Sequence, residues 1–200
     1  MKRSWNYLPW LRNLALFGAI STPFLAGAHP ALAGHTHGLV NGLLHPLTGW
    51  DHMLAMTAVG FLAARSGPRA TWLLPLTFVS MMILGGLCGM SAGAGVPLVE
   101  QGIAASVLIL GVLIAAPMRL PAVAGAWLVG LFALFHGYAH GAEMPASASG
   151  WLYGAGFVAA TAGLHLFGHG LGRATLNLKS LTPVRIAGCL MALGGLGLLF

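Results

Sequence analysis

The chain has almost no acid. Asp and Glu together number three in 200 residues, and charged residues of both signs make up only 6%. A soluble domain is about 25% charged, so this chain could not cover a water-facing surface. With 58% hydrophobic residues and a mean hydropathy of +0.85, its outside is expected to face lipid. The short alternating segments of a membrane barrel are missing. Long continuous apolar runs stand in their place, which leaves helices as the spanning element. The basic residues sit singly in short loops, so the net charge of +6 is not a nucleic-acid footprint. No phosphate-binding glycine loop appears, so the chain is not expected to use ATP. Cys88 and Cys189 stand alone in apolar runs and read as small core residues, not as a disulfide or thiolate ligands. There is no soluble domain, no low-complexity tract and no repeat of about 20–50 residues.

What is present begins with a secretory signal over residues 1–33. Lys2, Arg3 and Arg12 form a positive start, and Leu14 to Leu25 is an apolar stretch short for a span. Cleavage is expected after Ala33, with Ala28 as the second choice and an uncleaved first helix as the alternative. The fold class that follows is an all-α integral membrane protein, a single bundle of six transmembrane helices over residues 34–200. The segments run 44–64, 71–92, 101–117, 122–141, 150–171 and 184–200. Arg65 and Arg69 fall in the first loop, Arg119 in the third, and Arg173, Lys179 and Arg185 around the fifth. The second and fourth loops carry Glu100 and Glu143 instead. Basic loops stay cytoplasmic, so the mature N-terminus is predicted outside. Glycines recur at four-residue spacing at Gly85, Gly89 and Gly93, at Gly137 and Gly141, at Gly150 and Gly154, and at Gly168 and Gly172. That spacing reads as close helix packing.

Ionisable groups inside such segments cost roughly 2.5–3.5 kcal/mol each on insertion scales, so they mark function. The stretch HPLTGWDH places His45, Asp51 and His52 within eight residues. The first helix is predicted to start at Pro46, because proline suits the first turn. His45 and His52 then lie two turns apart on nearly one face, with Asp51 as a ligand or as a group orienting an imidazole. Asp51 and His52 would sit roughly 8–10 Å below the helix start. In the fourth segment, FHGYAHGAE brings His136, His140 and Glu143 onto one stripe, expected at the same depth. In the fifth, His165 and His169 are one turn apart and roughly 20–25 Å down, out of reach of that group. They read as a second station or an exit site.

Imidazole with carboxylate suits nickel, cobalt, zinc or copper(II). Copper(I) would want a thiolate pair or a methionine ladder; Met53, Met56, Met81 and Met82 read as packing. Magnesium and calcium would want more oxygen ligands than three acids supply. Glu100 reads equally as a solvated acid or a functional one. His29, His35 and His37 read as a polar terminus or as a metal-gathering tail.

With both motifs in view, the chain resembles the HupE/UreJ family of nickel and cobalt permeases. HPLTGWDH fits its HPxxGxDH signature and FHGYAHGAE its FHGxAHGxE motif, in the first and fourth segments. The resemblance implies uptake of Ni²⁺ or Co²⁺ across a bacterial inner membrane for enzymes such as hydrogenase or urease. It implies metal contacts at His45, Asp51, His52, His136, His140 and Glu143, whereas His165 and His169 rest on the reading of the chain itself. The protein is thus expected to be a permease and not an enzyme, with no permanently bound cofactor. Its partners would be the divalent ion and the bilayer, with a homo-oligomer or a downstream metallochaperone left open. Two rivals are a haem protein with bis-histidine ligation through His52, His136 or His165, and a membrane subunit that delivers metal without transporting it.

Overall fold

A computed structural model describes residues 36–92, 96–116, 120–144 and 149–200. The expected signal peptide with its cleavage sites, His29, His35, Gly93 and Arg119 lie outside the described residues, as does the side chain of His37. Among the described residues there are seven helices and no strand: α1 Thr36–Thr48, α2 Trp50–Arg65, α3 Pro68–Ala92, α4 Val99–Ala115, α5 Ala122–Ala142, α6 Gly150–Thr175 and α7 Thr182–Gly197. Five of the six expected segments appear within a few residues of their expected ends. The first does not, because it is broken in two and extended toward the N-terminus.

Glycine decides how the helices pair. α3 runs parallel to α5, and a Cβ at Gly137 would fall on the Met82 carbonyl, one at Gly141 on that of Gly86. From the other side, Gly85 and Gly89 face the carbonyls of Leu134 and Tyr138. α1 and α2 together run along α6, where Gly42 meets the Tyr153 carbonyl, Gly60 that of His165 and Gly168 that of Thr57. α4 and α7 pair antiparallel through Gly111 and Gly188. Backbones touch in each case, so helix-on-helix attraction comes from close packing of small residues. The spacing over-reads one pair, since a Cβ at Gly154 would meet open space.

These pairs enclose a core of Met56, Val59, Leu74, Phe78, Val107, Leu110 and Val129, all nearly or fully buried. The outside is apolar as well: Trp127 is 79% and Trp151 89% exposed. Cys88 and Cys189 are unpaired but exposed, which corrects their reading as core residues. They sit on outward-facing apolar surface. Two helical stretches among the described residues, Pro68–Ser91 and Ala122–Ala142, are long and apolar enough to cross a membrane, while Val99–Ala115 and Thr182–Gly197 are apolar but shorter.

The ends of the bundle differ in charge. Arg65 Nη1 donates to Thr175 Oγ1 at 2.9 Å and ties the C-termini of α2 and α6 together. Arg65, Arg69, Arg173 and Arg185 fall at that end by the helix directions, and Glu100 and Glu143 at the other.

Candidate metal centre

The site is organised by the break between α1 and α2. Pro46 lies inside α1 and is not a helix start, so the expected first turn is corrected. Proline has no N–H for the Gly42 carbonyl and its ring crowds the preceding turn. The helix runs on only to Thr48, whose Oγ1 donates to the His45 carbonyl at 2.8 Å. Gly49 then takes an extended backbone, φ −92° and ψ 117°, and α2 starts at Trp50. His45 and His52 therefore sit on two helices, not on one face of a single helix. Asp51 and His52 also lie deeper than expected along this line, because the thirteen residues of α1 precede them.

Asp51 occupies the first turn of α2. Its Oδ1 accepts from the His52 backbone N–H at 2.8 Å and lies 2.7 Å from His52 Nδ1. One carboxylate oxygen thus satisfies a first-turn amide and orients a ring. It approaches so closely that a Cβ at Gly49 would stand 2.9 Å from Asp51 Oδ1 and 3.0 Å from His52 Nδ1. This contact is the geometry that the orienting role of Asp51 requires, and both roles stay open.

α5 brings its motif against this break. The His52 ring lies 4.2 Å from that of His140 and 4.7 Å from that of His136. His45 meets His140 at 4.7 Å, and its Nε2 lies 3.4 Å from Glu143 Oε2. His45, His140 and Glu143 can each offer a ligand atom within 4.8 Å of the others. Two groups therefore share His140: His45 with Glu143 above it, and His52 with His136 below. Exposure falls along the same line, from a Glu143 side chain 58% exposed to His136 at 0%. An open pocket lined by Asn41, Leu44, His45, Thr48, Glu143 and Tyr153 leads to the upper group.

Buried lone pairs complete the site. His52 Nε2, His136 Nδ1 and both ring nitrogens of His140 are buried without a hydrogen-bond partner. Native interiors leave few such atoms, and each one calls for a cause. A neutral imidazole bares one ring nitrogen, so His52, His136 and His140 offer three lone pairs from two helices, a ligand type that suits a borderline divalent cation.

Not every expected residue joins. His165 is buried and its Nε2 has no partner. Phe78 stands between it and the upper groups, 5.2 Å from His165 and 6.0 Å from His136. His169 lies one turn further along α6, also with an unpartnered Nε2. Met56 and Met82 are core residues, with Thr161 Oγ1 within 3.4 Å of the first sulfur and 3.8 Å of the second. Glu100 is exposed in the first turn of α4.

Sequence reasoning missed Ser106. This fully buried serine of α4 lies 2.8 Å from His136 Nε2 and donates to the Ile103 carbonyl at 2.6 Å. The signal was available: it is the one hydroxyl in the apolar run 102–116. It also missed Tyr153, whose ring lies 6.0 Å from His45.

Comparison with known proteins bears on the same residues. The family described as HupE / UreJ protein matches residues 16–198 of this chain. Protein HupE of Rhizobium leguminosarum bv. viciae is similar at 42% identity over 181 residues, covering 90% of this chain and 93% of that protein. No solved structure matches the chain.

Proposed function

Because the chain belongs to the HupE/UreJ family, which is associated with nickel and cobalt uptake for hydrogenase and urease, we propose that it is a secondary permease for a divalent transition metal, with Ni²⁺ preferred and Co²⁺ second. The observation that carries this reading is the convergence of His45, His52, His136 and His140 from three helices, with unpartnered ring nitrogens and two carboxylates at hand. The carboxylates of Asp51 and Glu143 offset the two charges of the ion. Neutral imidazoles supply ligands that exchange, and transport needs binding that is selective yet weak enough to release.

The apolar exterior with its exposed tryptophans supports a bundle in lipid, which we read as six spans after a cleaved signal peptide. The α1–α2 line counts as one interrupted span. Broken helices with irregular backbone beside a site are the usual form of a transporter binding site. By the loop charges, the acid end faces the periplasm and the basic end the cytoplasm. The ion enters past Glu143 and His45, rests among His52, His136 and His140, and moves past Phe78 to His165 and His169. Imidazole binds metal only when neutral, so acidification on the entry side weakens capture. The haem rival fits poorly at His52 and His136, whose rings are in edge contact at 4.7 Å and leave no slot for a porphyrin between them.

Labelled nickel accumulation tests the reading. Asp51→Ala removes the group that orients His52 and half of the negative charge at the site. Uptake at limiting nickel is expected to fall about 10- to 100-fold, the usual cost of losing an outer-shell partner of a metal ligand. Parental uptake by this variant would remove the first motif from the mechanism. Flux into liposomes carrying the purified protein separates transport from delivery: no metal in the lumen would favour a delivery subunit.

A further inference from the structure

We propose that Ser106 is a positioning residue that fixes the tautomer of His136, so that Nδ1 and not Nε2 is the atom His136 turns to the cation. The ligand half of this proposal rests on the permease reading; the tautomer half does not. A serine hydroxyl has one proton. Ser106 gives its proton to the Ile103 carbonyl at 2.6 Å. Only lone pairs then remain on Oγ for the contact with His136 Nε2 at 2.8 Å, so the ring must donate there. A neutral imidazole has one N–H. With Nε2 protonated, Nδ1 carries the bare lone pair, and Nδ1 is the His136 nitrogen that is buried without a partner.

His52 is the mirror case. Its Nδ1–H is held by the Asp51 carboxylate at 2.7 Å, which leaves Nε2 bare and buried. The two rings meet edge to face, 4.7 Å apart and inclined by 88°. Each ring is thus tied back through one nitrogen and presents the other. The two anchors differ in charge. Asp51 adds a negative charge beside the partly exposed ring, whereas Ser106 fixes the fully buried ring without one. A third acid at position 106 would leave the site over-charged for a dication, and an apolar residue would leave the tautomer free. α4, which carries no histidine, thereby belongs to the site.

The test uses the full-length protein in detergent. Ser106→Ala removes one oxygen from a buried position and leaves the packing in place. Ring ¹⁵N spectra of the metal-free protein, with the His136 signals assigned by comparison with His136→Gln, are expected to show the Nε2–H tautomer in the parent. In Ser106→Ala a substantial share is expected to shift to Nδ1–H. Nickel affinity, measured by equilibrium dialysis with the metal alone, is expected to fall about 10- to 100-fold. A parental His136 in the Nδ1–H form overturns the proposal, and so does a Ser106→Ala protein with unchanged tautomer and affinity. A shifted tautomer in a protein whose parent binds no nickel would end the cation reading alone and leave Ser106 in control of the His136 proton.

Discussion

Gly137→Ala is expected to melt well below the parent, while Gly154→Ala is expected to melt at or above it. Both changes add one methyl group to a helical glycine, and helix propensity alone favours alanine by about 1 kcal/mol. The surroundings reverse the sign at Gly137. Its new Cβ would land on the Met82 carbonyl, which is backbone and cannot rotate away, whereas at Gly154 nothing lies within 4 Å. To make room, α5 must move off α3. That separation also strips the contacts at Gly141, Gly85 and Gly89, which lie on the same seam. Overpacking in a core costs typically 1–3 kcal/mol and sometimes more; with four contacts strained together, a loss of at least about 3 kcal/mol is expected. Thermal unfolding of the detergent-solubilised variants, followed by size-exclusion profile, checks this. A Gly137→Ala protein as stable as the parent would mean that the seam is not tight.

The same comparison shows why one motif serves two purposes. In FHGYAHGAE each histidine is followed directly by a glycine. Successive residues on a helix point about 100° apart. His136 and His140 therefore face α1 and α2, while Gly137 and Gly141 face α3. The glycines hold the helix at the distance that the histidines need.

Most of this was legible in the sequence, for identifiable reasons. Long apolar runs fix the helices, and the i, i+4 spacing of His136 and His140 fixes their common stripe. The meeting of the two motifs follows from alternating helix directions. The break at Gly49 was not legible. Pro46 has a strong preference for a first helical turn, and that preference outweighed Gly49, although glycine is the usual residue just past a helix end. The exposure of Cys88 and Cys189 was hidden too. In a chain with apolar residues on both faces, hydrophobicity does not tell inside from outside. Ser106 was passed over because a lone hydroxyl in an apolar helix usually bonds its own backbone. It does so here, and that bond is what commits its lone pairs to His136.

His140→Leu is expected to stop nickel uptake and, at the same time, to make the metal-free protein more stable. His140 is 5% exposed and packed against His45, His52 and the Phe157 ring. Neither of its ring nitrogens has a hydrogen-bond partner. A buried polar group left unsatisfied costs about 1–3 kcal/mol, and an apolar group of similar shape removes that cost. Leucine in this place is therefore expected to stabilise the protein by about 1–3 kcal/mol. Uptake should fall at least about 100-fold, since His140 is shared by both ligand groups and even outer-shell losses cost up to that much. Nickel sharpens the contrast. A ligand that binds only the folded state raises the melting temperature with concentration, so the parent should gain stability as nickel is added and His140→Leu should not. Melting curves in chelator and in excess nickel measure both effects. A variant that melts lower than the parent in chelator would show that the His140 nitrogens are satisfied in the folded protein, and a parental nickel response would show that His140 is not a ligand. The expected pattern has a simple physical origin: ring nitrogens buried without partners are unfavourable for the fold alone and become favourable only when a cation pairs with them.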